Sequence, residues 1–89
     1  QQSLDNIESA VQNQFTIYPN PTKGLVNVYA TADNLYLQII SIEGKIVKSR
    51  KIGMGINLVE IEGLSTGLYQ IRLTDSNGEL KYEQKLSVL

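Results

Sequence analysis

The chain has 89 residues and a nearly balanced charge, with 8 lysines and arginines against 9 aspartates and glutamates. A chain this short forms one domain with a modest core, so a deep active-site cleft is not expected. The basic residues are scattered and no apolar run approaches the roughly 18 residues of a membrane span, so we expect neither a nucleic-acid partner nor direct membrane insertion.

The first 14 residues, QQSLDNIESAVQNQ, are polar, and we predict a linker there. Leu4, Ile7 and Val11 have a loose helical spacing, but no capping motif opens a helix and one this short is marginal in isolation. The chain is therefore predicted to divide into a linker over residues 1–14 and a folded domain over residues 15–89.

From residue 15 onward, short apolar runs alternate with Gly, Asn and Asp, which is typical of strands joined by turns. Seven runs with short connections predict an all-β domain built as an antiparallel sandwich. The predicted strands are Phe15–Tyr18, Leu25–Thr31, Leu35–Ile42, Lys45–Ile52, Ile56–Glu62, Gly67–Thr74 and Glu79–Val88.

Alternation along these strands assigns one face to the core and the other to water. The pattern is clearest in GLYQIRLT, residues 67–74, and weakest in the last strand, where Gln84 interrupts an apolar face. The residues predicted to face inward are Val26, Val28, Val59, Ile61, Tyr69, Ile71, Leu73, Leu80, Tyr82, Leu86 and Val88.

Two tight turns are predicted from their residue types. The stretches IEGK (residues 42–45) and DSNGE (residues 75–79) supply Gly44 and Asn77-Gly78 where a hairpin needs positive φ. The second stretch also resembles the start of a calcium loop. It lacks the further oxygen ligands at the required spacing, so a plain hairpin is the better interpretation.

The chain offers few groups for catalysis. It contains no histidine and no cysteine, which excludes Ser-His-Asp and Cys-His nucleophiles and the usual zinc ligand sets. Its carboxylates fall mostly at turns and on predicted wet faces, unlike the shielded carboxylates of general acid–base catalysis. We therefore expect no enzymatic activity and no cofactor.

The stretch YPNP, residues 18–21, admits two interpretations. Each proline fixes φ near about −65° and lacks an N–H donor, so the segment would end the first strand and discourage pairing at its edge. In the second interpretation, the same rigid segment is a surface that a partner recognises. Local chemistry favours the first and leaves the second open.

The order of four motifs resembles the C-terminal sorting domain, type A, of proteins exported by the type IX (Por) secretion system. The motifs are FTIYPNPTKGLVNV, SIEGKIV, GINLVEIEGLSTGLYQIRL and the final YEQKLSVL, and the likeness covers residues 15–89. Ser41 departs from the pattern, since an Asp is common at that position. The family's motif residues correspond here to Tyr18, Pro19, Asn20, Pro21, Gly44, Lys45, Leu64, Gly67, Tyr69 and Lys85.

The resemblance implies a seven-stranded antiparallel immunoglobulin-like β-sandwich at the C-terminus of a larger cargo protein. A separate leader would carry the cargo into the periplasm, and this domain would direct it across the outer membrane through contacts with translocon and shuttle components. A sortase-like surface protease would then cut before the domain. The motif residues are accordingly candidate recognition residues. We further expect the first and last segments to lie close together, with backbone exposed for strand addition.

Two other functions stay open. A carbohydrate-binding or adhesive module of a secreted enzyme needs exposed aromatic rings that stack on sugars. Here the candidates are Tyr18, Tyr29 and Tyr36, because the chain has no Trp and Tyr69 and Tyr82 are predicted inward. An inert structural spacer would need no partner at all.

Overall fold

The computed structural model describes residues 15–89 and forms strands in all seven predicted places. The predicted linker, residues 1–14, lies outside the described residues. The strand ends differ from the predicted ones by at most two residues. The strands are β1 (Phe15–Tyr18), β2 (Leu25–Ala30), β3 (Leu35–Ser41), β4 (Ile46–Ile52), β5 (Gly55–Glu60), β6 (Gly67–Thr74) and β7 (Leu80–Val88).

The strands form two antiparallel sheets, which confirms the predicted immunoglobulin-like sandwich. One sheet has the order β1-β2-β5 and the other the order β4-β3-β6-β7. Strands distant in sequence therefore pair, β2 with β5 and β3 with β6. In constant-type immunoglobulin domains the fourth strand belongs to the first sheet. Here it lies beside β3, at the edge of the larger sheet.

The core lies between the sheets and consists of side chains that alternate along the strands. Those of Val26, Val28 and Val59 come from the smaller sheet and are fully buried. The larger sheet contributes Leu37 and Ile71 among others, which are equally buried. The predicted inner face is confirmed for Val26, Val28, Val59, Ile61, Tyr69, Ile71, Leu73, Leu86 and Val88.

The inward placement of Leu80 is wrong. The β6–β7 register shifts next to Leu73, so that Leu73 pairs with Tyr82 but Thr74 pairs with Leu80. Two steps along β7 thus match one step along β6, which is a β-bulge. The bulge turns Leu80 to the face of Thr74, where 42% of its surface is exposed.

Both predicted hairpin turns are present and have the same construction. Gly44 and Gly78 take φ values of 87° and 84°, and each donates its N–H to the carbonyl three residues earlier. This is a type I turn followed by a left-handed glycine. Asn77 was predicted to share the positive φ and does not, since Asn34 is the one non-glycine residue with that conformation in residues 15–89.

Asn57 fixes the crossing from β4 in one sheet to β5 in the other. Its Nδ2 lies 3.1, 2.8 and 3.3 Å from the carbonyl oxygens of Val28, Gly53 and Gly55. Its Oδ1 accepts the N–H of Gly53 at 3.2 Å. One half-buried amide therefore satisfies the main chain of a loop that has little secondary structure of its own.

Replacing Asn57 by Ala should lower the free energy of unfolding by about 2 kcal/mol, because part-buried main-chain groups lose their partners. Urea denaturation measures this value. The control is Asn77→Ala, since the Asn77 side chain is exposed at a hairpin tip. That change should stay within about 0.5 kcal/mol, and equal losses in the two variants would contradict the assigned role of Asn57.

Candidate recognition site

The proline segment, defined as Pro19–Thr22, follows β1 and contacts the outer edge of β7 through Asn20 and Thr22. The Asn20 side chain donates from Nδ2 to the carbonyl of Lys85 at 2.9 Å and accepts the N–H of Ser87 at 3.0 Å. Its amide thus bonds to β7 as a neighbouring strand's peptide group would. Both proline peptide bonds of the segment are cis.

Thr22 continues this pairing through its main chain. Its N–H donates to the carbonyl of Ser87 at 2.9 Å, and its carbonyl accepts the N–H of Leu89 at 2.8 Å. The two chains run parallel here. The first and last segments therefore lie side by side, as expected, but the pairing covers the edge of β7 from Lys85 onward. Exposed backbone on that edge is confined to the part before Lys85.

The Leu64-x-x-Gly67-x-Tyr69 motif forms a tyrosine corner at the start of β6. The Tyr69 ring is 9% exposed, and its hydroxyl donates to the carbonyl of Ser65 at 2.7 Å. A hydroxyl bond back to the main chain a few residues upstream is the mark of this corner in immunoglobulin-like sandwiches. Leu64 packs against the core from the same connection. Both residues therefore stabilise the corner.

The Gly44-Lys45 motif closes the β3–β4 hairpin. Ser41 donates its N–H to the Lys45 carbonyl at 2.8 Å, and its Oγ accepts the Lys45 N–H at 3.2 Å. The serine hydroxyl therefore supplies the acceptor that a carboxylate would supply at this position. In the other hairpin, the Asp75 carboxylate accepts the N–H groups of Asn77 and Glu79, both at 2.9 Å.

Three of the four motifs meet on the water-facing side of the larger sheet. The register places Ile40 opposite Gln70 and Gln70 opposite Lys85, so neighbouring strands carry these residues side by side. A shallow cavity of about 320 Å³ lies there. The buried Tyr69 forms the bottom of this cavity. We call the other lining residues the motif surface: Ile40, Ser41, Ile42, Gly44, Leu68, Gln70 and Lys85.

The motif surface is largely apolar although it faces water. Ile42 is 78% exposed and Leu68 is 45% exposed. Ile46, which pairs with Ile40, extends the apolar area onto β4 and is 52% exposed. Lys85 stands at its rim. Large contiguous apolar areas are uncommon on the surface of monomeric domains. The residues Ile42, Ile46 and Leu68 were missed from sequence, where alternation marks them only as outward-facing.

The remaining candidates lie away from the motif surface or beneath it. Pro19 and Pro21 are exposed on the proline segment, and Tyr18 is exposed at the end of β1 on the smaller sheet. Lys45 follows Gly44 in the hairpin and is exposed, and Gly67 begins β6 beside Leu68. The structure thus brings Gly44 and Lys85 to one surface and leaves the exposed prolines outside it.

The described residues contain no group of three or more His, Cys, Asp or Glu side chains placed to hold a metal ion. Within residues 15–89, no helix has the length and apolarity needed to cross a membrane. The three exposed tyrosines are divided between the sheets, Tyr18 and Tyr29 on the smaller and Tyr36 on the larger. They therefore do not form one stacking platform for a sugar.

A family model described as secretion system C-terminal sorting domain matches residues 16–88. The chain belongs to this family. The sorting domain acts as a C-terminal signal for the type IX secretion system, so a protein that carries it is exported to the cell surface or secreted. The family is one of sorting signals rather than of enzymes. The resemblance drawn from the four motifs is thereby confirmed.

Among solved structures, the sorting domain is similar to part of PorZ, an essential bacterial surface component of the type-IX secretion system of Porphyromonas gingivalis. The two chains are 14% identical with a TM-score of 0.73. The match covers 90% of this chain and 12% of the PorZ chain, and at this identity it shows a shared fold. No curated protein matches the sequence significantly.

Replacing Tyr69 by Phe should lower the free energy of unfolding of the sorting domain by about 1 kcal/mol, because the Ser65 carbonyl loses its donor. Thermal and urea denaturation measure the loss. The matched control is Tyr36→Phe, because that ring is 42% exposed on the outer face. Equal stability of the two variants would show that the corner hydrogen bond contributes nothing.

Replacing Asn20 by Ala should speed hydrogen exchange at the Ser87 amide, which donates to the Asn20 side chain. Loss of one hydrogen bond of about 1 kcal/mol corresponds to roughly fivefold faster exchange. NMR exchange rates report this residue by residue. The Leu86 amide, on the β6 side of the strand, serves as the internal reference. Equal acceleration at both amides would indicate general unfolding rather than opening of this edge.

Proposed function

We propose that the secretion machinery recognises this sorting domain as a folded surface and that the motif surface is the contact. The supporting observation is the exposed apolar cavity, to which the hairpin with Gly44, the corner below Leu68 and the last strand with Lys85 each contribute. These elements are far apart in sequence and meet through the register of β3, β6 and β7. An unfolded chain would not present them together.

The motif residues divide into two groups in this proposal. Tyr69 and Leu64 hold the corner, and Asn20 holds the proline segment against β7, so their effect on export is through the fold. Ile42 and Leu68 supply apolar contact area. Lys85 supplies a cation at the rim, with its main-chain carbonyl held by Asn20.

We propose the export route that the family resemblance implies. A separate leader takes the cargo to the periplasm, where this domain, attached behind its N-terminal cargo domain, contacts shuttle and outer-membrane translocon components. A sortase-like surface protease cuts ahead of the folded domain, and the polar residues 1–14 are a stretch that such a protease could reach. The domain itself, residues 15–89, has no catalytic role in this scheme. It acts as a signal and as a protease substrate.

An export assay tests the contact. A reporter with a periplasmic leader is fused to the 89-residue chain and expressed in a host that has the system. The double change Ile42→Ser with Leu68→Ser should reduce surface or medium reporter by at least about tenfold, as expected when the centre of an interface is lost. The fold should survive, because both side chains are already exposed.

The control is Met54→Ser with Ile56→Ser, which removes apolar side chains of 64% and 62% exposure away from the motif surface. Export of this variant should match the parent. Retention of the parent fusion in the periplasm would refute the signal role itself. Normal export of the Ile42 and Leu68 variant would refute the contact while leaving the signal role intact.

A further inference from the structure

The edge strand β4 differs from the other edges of the two sheets. It is seven residues long and pairs with β3 on one side. The edge of β7 is partly covered by the proline segment, and β1 has only four residues. The remaining edge strand, β5, has six residues, and its Leu58 carbonyl already accepts a hydrogen bond from Arg50. A long edge with unpaired backbone is a template for another strand. Among the described strands, β4 therefore offers the longest free stretch.

The main chain of β4 faces outward at Lys51 and Ser49. The Lys51 carbonyl accepts a long hydrogen bond of 3.4 Å from the Nε of its neighbour Arg50, which reaches it from the edge. Successive residues of a strand direct their N–H and C=O groups to opposite sides. Ser49 therefore points its main-chain groups to the same edge as Lys51, while Arg50 pairs with Leu37 of β3.

Half of the basic residues of the chain lie in one short stretch, GKIVKSRKI, residues 44–52. Of these, Lys51 pairs with the exposed Tyr36, on the outer face of the larger sheet. Lys45, Lys48 and Lys51 take part in none of the ion pairs formed within residues 15–89. Lysines on an edge discourage pairing between two copies of the same chain. They equally favour a strand that carries acidic side chains.

A groove lies beside this edge, between β4 and the smaller sheet. Its volume is about 410 Å³. Arg50 spans its floor, because its Nη1 donates to the carbonyl of Leu58 on β5 at 2.6 Å. Leu58 and Leu25 are 58% and 48% exposed. The edge groove is lined by Leu25, Lys48, Ser49, Arg50, Leu58 and Glu60.

We infer that the edge groove binds an extended, acidic segment of a partner protein, which adds as a fifth strand beside β4. The main chain of Ser49 and Lys51 provides the ladder hydrogen bonds. Apolar side chains on one face of the added strand contact Leu25 and Leu58. Acidic side chains on its other face lie opposite Lys51. This is recognition by strand addition, in which alternate side chains give specificity.

Two features select the occupant. A second copy of this chain is disfavoured, because its own β4 would bring lysines against lysines. Leu25 and Leu58 are exposed at the groove, and they favour apolar side chains on the inward face of the segment. The inference is independent of the proposed contact at the motif surface, because the two surfaces share no residue.

The test uses the 89-residue protein and an acetylated octapeptide of alternating Val and Glu. NMR titration should shift the amides of Ser49 and Lys51. Lys51→Glu should weaken binding about three- to tenfold, the range expected for loss and reversal of an exposed ion pair. The control Lys23→Glu, at a lysine outside the groove, should leave the affinity unchanged.

A second variant tests the backbone contact. Ser49→Pro removes an N–H that faces away from β3, where proline is tolerated in an edge strand. It should abolish peptide binding while the circular dichroism of the sandwich persists. If this variant does not fold, the inference is tested by comparing the peptide affinities of the Lys51→Glu and Lys23→Glu variants.

The inference is overturned if the peptide does not bind, or if an otherwise identical peptide with Lys for Glu binds equally well. Amide shifts confined to β7 would also overturn it. So would binding to phosphatidylglycerol vesicles with no peptide binding, because the lysines would then serve a lipid surface.

Discussion

The pairing of the proline segment with the outer edge of β7 is the contact on which the candidate site depends. The chain leaves the smaller sheet after β1 and bonds at once to the last strand of the larger sheet. Asn20 supplies two of these bonds with its side chain, at a position between two prolines that lack N–H groups. The prolines therefore exclude a regular ladder, and the amide takes its place.

This contact joins the two sheets on one side of the sandwich, and Arg50 joins them on the other. The guanidinium of Arg50 crosses from β4 to the carbonyl of Leu58 on β5. The two sides differ in what they leave open. On one side, the backbone of the proline segment covers part of the edge of β7. On the other side, a single side chain, that of Arg50, bridges β4 and β5 and leaves the backbone of β4 accessible.

The residues of the family motifs have different physical roles in this structure. Asn20 and Tyr69 each hydrogen-bond to main-chain groups outside the sheet ladders, and Gly44 permits the left-handed step of a hairpin. These residues specify the shape of one end of the larger sheet. The groups that a partner could touch are the exposed side chains beside these motif residues, chiefly Ile42 next to the Gly44 hairpin and Leu68 next to Tyr69. A motif can therefore be required for export without being touched by the machinery.

Local patterns were sufficient to predict the strands and the hairpin at Gly44, because alternation and turn chemistry act over a few residues. The bulge beside Leu80 was not predictable, since it depends on the register against β6. The partner of the Tyr69 hydroxyl was also missed, although a Tyr two residues after a glycine at the start of a strand is a usable signal. The bond from Asn20 to Lys85 joins residues 65 positions apart, and only the folded chain reveals it.

Photo-cross-linking during export tests most directly the claim that one end of a folded domain is the signal. A photoreactive amino acid would be placed at Ile42 on the motif surface, and separately at Ile56 on the smaller sheet. Both positions are well exposed, at 78% and 62%, so accessibility alone does not separate them. If the motif surface is the contact, adducts with secretion components form from position 42, and few or none form from position 56. Equal adducts from both positions, or adducts from position 56 alone, would contradict it.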